Sequence, residues 1–409
     1  MHTNQLHRAD VCTSSNFYPF GGTRVRLCFA CGVACLWVCN AVAFSQSISH
    51  LGALSGESSS VAFSVSEDGR VVVGQSGGRA FRWATTGGMH ELPPISPPLP
   101  GYSTFATSVS ADGGLIAGGS NGKAILWDSS QTAFDLGSLP GAQLNTWADE
   151  ISANGAVIVG SSGINSFTWT ADTGALFFLP ESQLRAVSNN GRTVAGYSYV
   201  GQFGFKATSG GAIEVLIPNG GVEGLSDDGS FAVGWQQTPR GQTAARWSPL
   251  RGLETLASSI EHTSSYASSV SNGGRTAGAL GTSSETSIAM IWSDAISGEV
   301  LLDRLEKDGA DVSGWTSLVS ALDISADGRF VVGHGLFNGQ LRAYLADLRD
   351  SCPGDITNGG SVDATDLSVI LAAWGTIGQG EFRADIDGSG IVDGEDLALV
   401  LSGWGPCPR

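Results

Sequence analysis

The chain has 409 residues, of which 58 are glycine and only 14 % are charged. This composition argues against coiled coils and helix-rich enzymes and suits short strands joined by tight turns. An apolar content of 42 % excludes a disordered chain, and a net charge of −17 argues against nucleic-acid binding, which depends on Lys and Arg.

The N-terminus has the pattern of an export signal. Arg24 and Arg26 precede an apolar run over 27–38, and small residues follow at 41–43. This order is typical of a secretory signal peptide, and the run is shorter than the ~20 residues that a membrane-spanning helix needs. We predict a signal peptide over residues 1–45 and a secreted mature protein, extracellular or attached to the cell surface, without a transmembrane segment. A buried apolar helix is the alternative.

A nine-residue pattern recurs through the middle of the chain. It has the form Ser-x-Asp-Gly-x-x-Val-x-Gly, and most copies are followed by a small residue three positions before a Trp. The copies begin at Ser66, Ser110, Ser152, Ser188, Ser226, Ser271 (one residue shorter) and Ser325. The Trp residues are Trp83, Trp127, Trp169, Trp247 and Trp292.

Each copy translates into four short strands. Apolar residues before the Ser form the first strand, a turn such as Asp-Gly leads to the second, and the Trp segment and a later Leu segment supply the third and fourth. Four strands in about 43 residues are typical of a β-propeller blade. The seventh unit lacks a fourth strand, and residues 48–51 resemble a fourth strand without a first. The sequence therefore predicts a mainly β, seven-bladed propeller of four-stranded blades over residues 46–349, with the N-terminal strand closing the last blade. A solenoid is the alternative.

The repeat resembles the HAF family of bacterial extracellular repeats. The resemblance rests on the Ser-x-Asp-Gly pattern, the Ala-Phe-x-Trp segment and the phrase Leu-Gly-x-Leu-x-Gly. Residues 301–315 are also similar to that family's terminal repeat, which begins with a short helix. The resemblance covers about residues 46–349 and implies no activity.

After residue 352 the sequence repeats itself at an offset of 30 residues. Each half has carboxylates at loop positions 1, 9 and 12, Gly at position 6 and an apolar residue at position 8, and this is the spacing of a calcium-binding EF-hand loop. An amphipathic segment follows each loop, at 367–374 and 397–404. The spacing predicts two calcium-binding loop–helix units; a solvated acidic turn is the alternative.

Asp in place of Glu at position 12, the duplication and one missing entering helix resemble a type I dockerin. The resemblance implies a small α-helical calcium-binding domain with two EF-hand-type loops, which we assign to residues 350–409. The second Ca²⁺ site should be the stronger, because Thr357 and Gly359 replace carboxylates in the first loop. The implied ligands are Asp355, Thr357, Ser361, Asp363 and Asp366 in the first loop, and Asp385, Asp387, Ser389, the Ile391 carbonyl, Asp393 and Asp396 in the second.

The same resemblance implies a cohesin-like protein partner. Dockerins recognise cohesins partly through loop positions 10 and 11, which are Ala364-Thr365 in one half and Gly394-Glu395 in the other. Because these pairs differ, the resemblance does not extend to the symmetric, two-way docking of the family.

Two cysteines remain once the signal peptide is removed, Cys352 and Cys407. Two cysteines in an exported protein most simply form one disulfide. We predict that this bond brackets the calcium-binding module and stabilises its small core.

Residues in the repeat register are assigned structural roles. The Trp residues are predicted to pack between blades, and Asp68, Asp112, Asp227 and Asp327 to form the repeated turns. Side chains outside the register are scattered and form no catalytic motif, so no catalytic residue is assigned. The candidates among them are Glu57, Tyr102, Glu150, Glu181, His262, Tyr266 and His334.

These patterns predict a secreted, non-catalytic binding or structural protein. The propeller would present a surface for a ligand such as a carbohydrate or for a partner, and the tail would attach it through calcium to a cohesin-type partner or the cell surface. The alternative is an extracellular carbohydrate-active hydrolase or lyase on the propeller, targeted by the same tail. Two non-repeat carboxylates over the channel mouth would favour the enzyme, whereas a mouth of Ser, Ala and Thr would favour binding.

Overall fold

The computed structural model describes residues 46–97, 101–141, 145–208, 212–258, 264–281, 287–293, 297–348, 354–357, 361–375, 384, 386 and 391–406. The predicted signal peptide, Cys352 and Cys407 lie outside these ranges, so the export signal and the disulfide stay predictions. None of the helices in the described ranges is long and apolar enough to cross a membrane.

Seven antiparallel sheets form the blades of a propeller. The chain enters with β1 (Ser47–His50), which belongs to the last blade. Blade 1 contains β2 (Val61–Val65), β3 (Val71–Ser76), β4 (Arg79–Ala84) and β5 (Gly88–Glu91). Blade 2 contains β6 (Thr104–Val109), β7 (Ile116–Ser120), β8 (Lys123–Trp127) and β9 (Ala133–Asp135). Blade 3 contains β10 (Thr146–Ile151), β11 (Ile158–Ser162), β12 (Asn165–Thr170) and β13 (Gly174–Leu179).

The remaining blades follow in chain order. Blade 4 contains β14 (Ser182–Val187), β15 (Thr193–Ser198), β16 (Phe203–Thr208) and β17 (Ile213–Pro218). Blade 5 contains β18 (Gly220–Leu225), β19 (Ala232–Thr238), β20 (Gly241–Ser248) and β21 (Gly252–Thr255). Blade 6 contains β23 (Ser265–Val270), β24 (Thr276–Leu280), β25 (Ile288–Trp292) and β26 (Ser297–Val300), with β22 (Ala257–Ser258) as a fifth strand. Helix α1 (Leu301–Lys307) leads to β27 (Trp315–Ile324), β28 (Phe330–Phe337) and β29 (Gln340–Asp347) of blade 7.

The ring closes as the sequence predicts. The first strand of each blade contacts the first strand of the next, from β2 through β27 and back to β2. β1 pairs antiparallel with β29, joining Ile48 to Ala346 and completing the four strands of blade 7. The seven-bladed prediction is therefore confirmed, and the solenoid is excluded.

The repeated pattern builds one turn in each blade. In blade 1 the Ser66 hydroxyl donates to Asp68 Oδ1 at 2.7 Å and accepts from the Val71 amide at 3.0 Å, while Gly69 takes a φ of +69° that favours glycine. The Ser–Asp or Ser–Asn bond recurs at Ser110–Asp112, Ser152–Asn154, Ser188–Asn190, Ser226–Asp228 and Ser325–Asp327. The prediction that Asp227 forms this turn is wrong, because the register places Asp228 there.

Every first strand carries a β-bulge at the same register. In blade 1 the bulge falls at Phe63, between the pairs Ala62–Gly74 and Ser64–Val73. Gly74 is required there, since a Cβ on it would lie 2.0 Å from the Val61 carbonyl oxygen. The bulged residues of the seven blades are Phe63, Thr107, Asp149, Arg185, Glu223, Ser268 and Leu322.

The core lies between neighbouring blades. Trp127 and Trp292 are fully buried, and Trp83, Trp169 and Trp247 pack against other interblade clusters. One such cluster joins residues of β3 and β4 to residues of β6, β7 and β8. The predicted packing role of the repeated Trp residues is confirmed.

The tail has a small core of its own. It contains β30 (Ser361–Val362), α2 (Ala364–Ala372), α3 (Gly394–Ser402) and β31 (Gly405–Pro406). Residues of the two sequence halves occupy matching places in one cluster, as Ile356 and Ile386, Val362 and Val392, and Ile370 and Val400. Each helix begins at an Asp that forms a capping box with the Asp three residues later.

Candidate functional site

A cavity of about 400 Å³ is lined by residues from the first strands of all seven blades. All seven bulged residues line it. The residue after each bulge forms a second ring, made of Ser64, Ser108, Glu150, Gly224, Ser269 and Asp323, with Ala186 in blade 4 outside the lining. A β-bulge turns two consecutive side chains away from the regular alternation, so one local feature, repeated seven times, directs side chains into one cavity.

The charged side of this cavity is a network around Arg185. Its Nη1 donates to Asp149 Oδ1 at 2.7 Å and its Nε donates to Glu223 Oε2 at 3.0 Å. The Trp235 indole donates to the other Glu223 oxygen at 3.1 Å, and Ser161 donates to the other Asp149 oxygen at 3.4 Å. All four carboxylate oxygens therefore have partners, as buried charges require.

The network shifts the pKa of its members. Burial raises the pKa of Asp149 to about 6, although the Arg185 guanidinium acts to lower it. Burial alone would lower the pKa of Arg185, but the charges of Asp149 and Glu223 raise it above its ordinary value. A carboxyl group that titrates near pH 6 can transfer a proton under mild conditions.

Second-ring side chains connect neighbouring blades. Glu150 Oε2 accepts from the Val187 amide at 2.6 Å, and Asp323 Oδ2 accepts from the Val65 amide at 3.0 Å. The hydroxyls of Ser64 and Ser108 accept from the next blade in the same way. Burial raises the pKa of Asp323 and raises that of Glu150 well above its ordinary value, which favours the neutral acids.

A smaller cavity of about 60 Å³ shares the second ring and is lined by Glu67 and Asp227 as well. Burial raises the pKa of Asp227 to about 6 and that of Glu67 well above its ordinary value, with Asp327 adding to the Glu67 shift. Burial therefore raises the pKa of acids in both cavities, whereas the Arg185 guanidinium in the larger one keeps its positive charge.

Glu67 also closes a ring of hydrogen bonds between successive turns. The turn amide of one blade donates to the next blade's turn, from Glu67 to Ala111 and from Ala111 to Ala153, for example. Between blades 7 and 1 the Glu67 carboxylate takes the acceptor role, receiving the amides of Ala326 at 2.7 Å and Asp327 at 3.1 Å.

The structure separates the scattered candidates. Glu150 and Tyr266 line the larger cavity, where the Tyr266 hydroxyl is 2.8 Å from the Ser320 hydroxyl. Glu57 pairs with Arg79, and Tyr102 and Glu181 are exposed outside the cavity lining. Burial lowers the pKa of His334 to about 4, while His262 lies outside the described residues.

Sequence reasoning missed Asp149, Arg185, Glu223 and Asp323. Their common signal is their position two or three residues before the repeated Ser. When the copies are aligned on that Ser, the third position before it holds a different residue in every blade and the second position before it also varies, whereas the fourth and first positions before it are apolar in every blade. This variable column is the cavity-lining ring.

In the first tail loop, Asp366 is completely buried at the start of α2. Its Oδ1 accepts from the Thr357 amide and hydroxyl, both at 2.8 Å, and its Oδ2 accepts from the Asp363 amide at 2.8 Å. Asp355 and Ser361 are partly buried and Asp363 is exposed. These oxygen donors are of the type that Ca²⁺ prefers.

The second loop repeats this arrangement. Asp396 is buried and accepts from the Ile386 amide at 2.6 Å and from the Asp393 amide at 2.9 Å. Asp385, Asp387 and Ser389 lie outside the described residues, and Ile391 lies within them. Among the described residues no group of three or more His, Cys, Asp or Glu side chains could hold a metal ion as placed.

Together the closed ring and its axial cavity define the class of the protein, a seven-bladed β-propeller. No protein-family model matches the sequence, and no curated protein matches it. Among solved structures the chain is similar to a streptogramin B lyase, with 12 % identity and a TM-score of 0.51 over 75 % of this chain and 99 % of that one. It is similar to the virginiamycin B lyase of Staphylococcus aureus, with 13 % identity and a TM-score of 0.51 over 73 % and 99 %.

A TolB from Acinetobacter baumannii also matches, with 13 % identity and a TM-score of 0.34 over 46 % of this chain and 51 % of that one, so the chain spans about half of that protein's length. At these identities the lyases support the propeller fold and nothing further.

Proposed function

We propose that the protein is a secreted, non-catalytic binding protein. Residues 46–349 form the propeller that binds a ligand, and the calcium-dependent, dockerin-like tail over residues 350–409 attaches it to a cohesin-type partner or to the cell surface. The observation that carries the proposal is the variable column, because seven unlike side chains on a repeated scaffold meet in one cavity. In a repeated scaffold, positions that only maintain the fold can keep the same residue in every blade, whereas positions that contact a ligand must differ to match it.

The hydrogen bonds in the cavity favour binding over catalysis. Asp149 and Glu223 use all their oxygens on Arg185, Trp235 and Ser161. A network satisfied in this way holds its side chains in fixed positions, which suits selection of a ligand. Each carboxylate oxygen of Asp149 and Glu223 accepts a hydrogen bond, so neither side chain has an unpaired oxygen that could act as a nucleophile.

Duplicated exposed side chains support an attachment role for the tail. Leu371 and Trp374 at the end of α2 are 57 % and 48 % exposed, and their counterparts Leu401 and Trp404 are 54 % and 50 % exposed. Large apolar side chains left exposed in both halves are typical of a protein-binding surface. The tail is strongly acidic in sequence, so the fitting partner is a protein with an apolar groove and a basic rim.

The attachment is tested by measuring binding of the full-length secreted chain to a recombinant type I cohesin domain by biolayer interferometry. We expect binding in calcium that is lost in EGTA and reduced by at least about tenfold in the Trp374→Ala/Trp404→Ala variant. The control is Leu250→Ala, which removes a 91 % exposed apolar side chain from the propeller. No cohesin binding in calcium would overturn attachment through a cohesin, and binding that survives EGTA would overturn its dependence on calcium.

A second candidate, an extracellular carbohydrate-active hydrolase or lyase, is favoured by one observation. Two carboxylates outside the repeat, Asp149 and Glu223, share the Arg185 guanidinium in the cavity, and burial raises the pKa of Asp149 to about 6, as a general acid requires. The test is release of reducing ends or unsaturated sugars from a polysaccharide panel. Turnover that falls about 100-fold or more in Glu223→Gln would establish the enzyme.

A further inference from the structure

The larger cavity has two chemically different sides. Phe63 of blade 1 and Leu322 of blade 7 are bulged residues of adjacent blades and form an apolar arc in the ring of bulged residues, next to Ser64 and Asp323 of the second ring. Asp149, Arg185 and Glu223 belong to blades 3, 4 and 5 and form a polar arc across the ring. A ligand that fills this cavity must therefore have an apolar side and a hydrogen-bonding side.

The polar arc keeps hydrogen-bonding groups without protein partners. Within the described residues, Arg185 Nη2 has no hydrogen-bond partner, and its side chain is 38 % exposed. The Gln242 amide group and Glu150 Oε1 also line the cavity without a hydrogen bond to any described residue. These three groups offer donors and acceptors together, at fixed positions on different blades.

The charges of the cavity disfavour an ionic ligand. An anion that approached Arg185 Nη2 would meet the two carboxylates that already neutralise this guanidinium. A cation that approached Asp149 or Glu223 would meet Arg185 and would replace no missing partner. The other two acids of the lining, Glu150 and Asp323, already accept backbone amides, and burial raises their pKa and so favours the neutral acid. A neutral ligand whose groups both donate and accept hydrogen bonds fits all of these constraints, and sugar hydroxyls have this property.

We propose that the axial cavity binds a neutral saccharide, with the C–H face of a sugar ring on the Phe63 and Leu322 side and its hydroxyls on Arg185, Gln242 and Glu150. The volume of about 400 Å³ lies at the lower end of small-ligand pockets, which suits one or two sugar rings. This inference rests on the proposed function and gives the ligand of the propeller its chemical class.

The test compares disaccharides that differ in charge. Binding of the full-length chain is measured by calorimetry with cellobiose, xylobiose, maltose and N,N′-diacetylchitobiose as neutral probes. Chitobiose without its acetyl groups is the cationic probe and digalacturonate the anionic one. We expect binding of at least one neutral probe and, for the chitobiose pair, tighter binding of the acetylated form.

Gln242→Ala is the variant of choice, because the Gln242 side chain makes no hydrogen bond within the described residues and its loss exposes no buried partner. We expect affinity for the neutral probe to fall about fivefold or more with the melting temperature unchanged. The matched control is Gln237→Ala, the exposed residue paired with Gln242 across β19 and β20 and outside the cavity lining.

Three outcomes would overturn the inference: preference for a charged probe, binding that Gln242→Ala leaves unchanged, or no neutral disaccharide bound. If the chain prefers a charged probe and Gln242→Ala weakens that binding, the cavity is still a ligand site, and only the assignment to a neutral saccharide is overturned. Because cohesin binding is measured separately, failure with all sugars overturns this inference without deciding the attachment. Mass spectrometry of the recovered probe shows whether the sugar was cleaved, which would support the enzyme instead.

Discussion

The propeller and the tail are both built by duplication, but they use their repeated residues in opposite ways. In the propeller the repeated Ser–Asp turn is structural, and the residues that line the cavity come from the column that varies. In the tail the residues kept in both halves, such as Asp366 and Asp396, are those expected to bind calcium. Repetition of a residue therefore does not show whether it is structural or functional. Its local environment in the fold distinguishes the two roles.

Carboxylates make the contrast sharper. Those of the propeller are compensated by Arg185, by backbone amides or by burial that favours the neutral acid. Among those expected to bind calcium in the tail, Asp366 and Asp396 accept hydrogen bonds from backbone amides of their own loops. We therefore expect the propeller to be destabilised mainly by removal of a compensating protein group, and the tail mainly by removal of calcium.

Arg185→Met should have the largest effect on the propeller. It leaves the nearly buried Asp149 and the partly exposed Glu223 without their shared cation, which costs about 2–3 kcal/mol in the free energy of unfolding once solvent screening of the exposed groups is included. Urea unfolding measures the change. The control is Arg79→Met, which breaks pairs with Glu57 and Glu91, carboxylates that are both more exposed than Asp149, and should cost ~0–1 kcal/mol. Equal losses in both variants would contradict the buried network.

Asp396→Ala should remove the stronger calcium site and destabilise the tail. The substitution deletes a proposed ligand and leaves the Ile386 and Asp393 amides without their acceptor, at about 1–3 kcal/mol for each buried group. Calcium calorimetry of the full-length chain should show one site fewer. Glu395→Ala, the exposed neighbour, should keep both sites, and retention of the tighter site in Asp396→Ala would contradict the ligand assignment.

Glu67→Ala tests how the ring of turns closes. Two amides, those of Ala326 and Asp327, lose their acceptor, so the free energy of unfolding should fall by about 1–3 kcal/mol per buried group. Glu67→Gln keeps only a neutral oxygen acceptor and should lose less. If both variants unfold at the wild-type urea concentration, the Glu67 contacts do not stabilise the closure.

A pH dependence gives the smallest effect. The folded-state pKa values of Asp149 and Asp227 are both about 6, above those of the unfolded chain, so native protein binds more protons and stability should fall as the pH rises from about 4 to 6. His334, with its pKa lowered to about 4, opposes this trend by losing stability as the pH falls below 6.5. The melting temperature of Asp227→Asn should depend less steeply on pH than that of the wild type, and a wild-type pH dependence in that variant would contradict the assignment.

Much of the fold was predictable because the determinants are local. Gly69 and its turn partners, the Val run and the Trp segment each act within a few residues, and their repetition fixes the blade count. The cavity was not predictable in the same way. Asp149, Arg185 and Glu223 are 36 and 38 residues apart, and the packing of three neighbouring blades brings them together.

The error at Asp227 has a physical cause. Two consecutive aspartates stand at the turn, and the assignment took the first, although the Ser-x-Asp-Gly pattern places Asp228 two residues after Ser226 and directly before Gly229. The hydrogen bond from Ser226 to Asp228 fixes the register and leaves Asp227 to line the smaller cavity. One residue of register thus separates a turn former from a buried acid.

The pairing of β1 with β29 sets an order of events during biosynthesis. Ser47 and Asp347 meet in one sheet although almost the whole propeller separates them along the chain, so β1 leaves the ribosome long before β29, its partner, has been made. A chain that is exported while still unfolded meets this requirement without delay, since both ends reach the far side of the membrane before closure. Deletion of β1 should leave β29 as an open blade edge, exposed to pairing with a strand from another molecule.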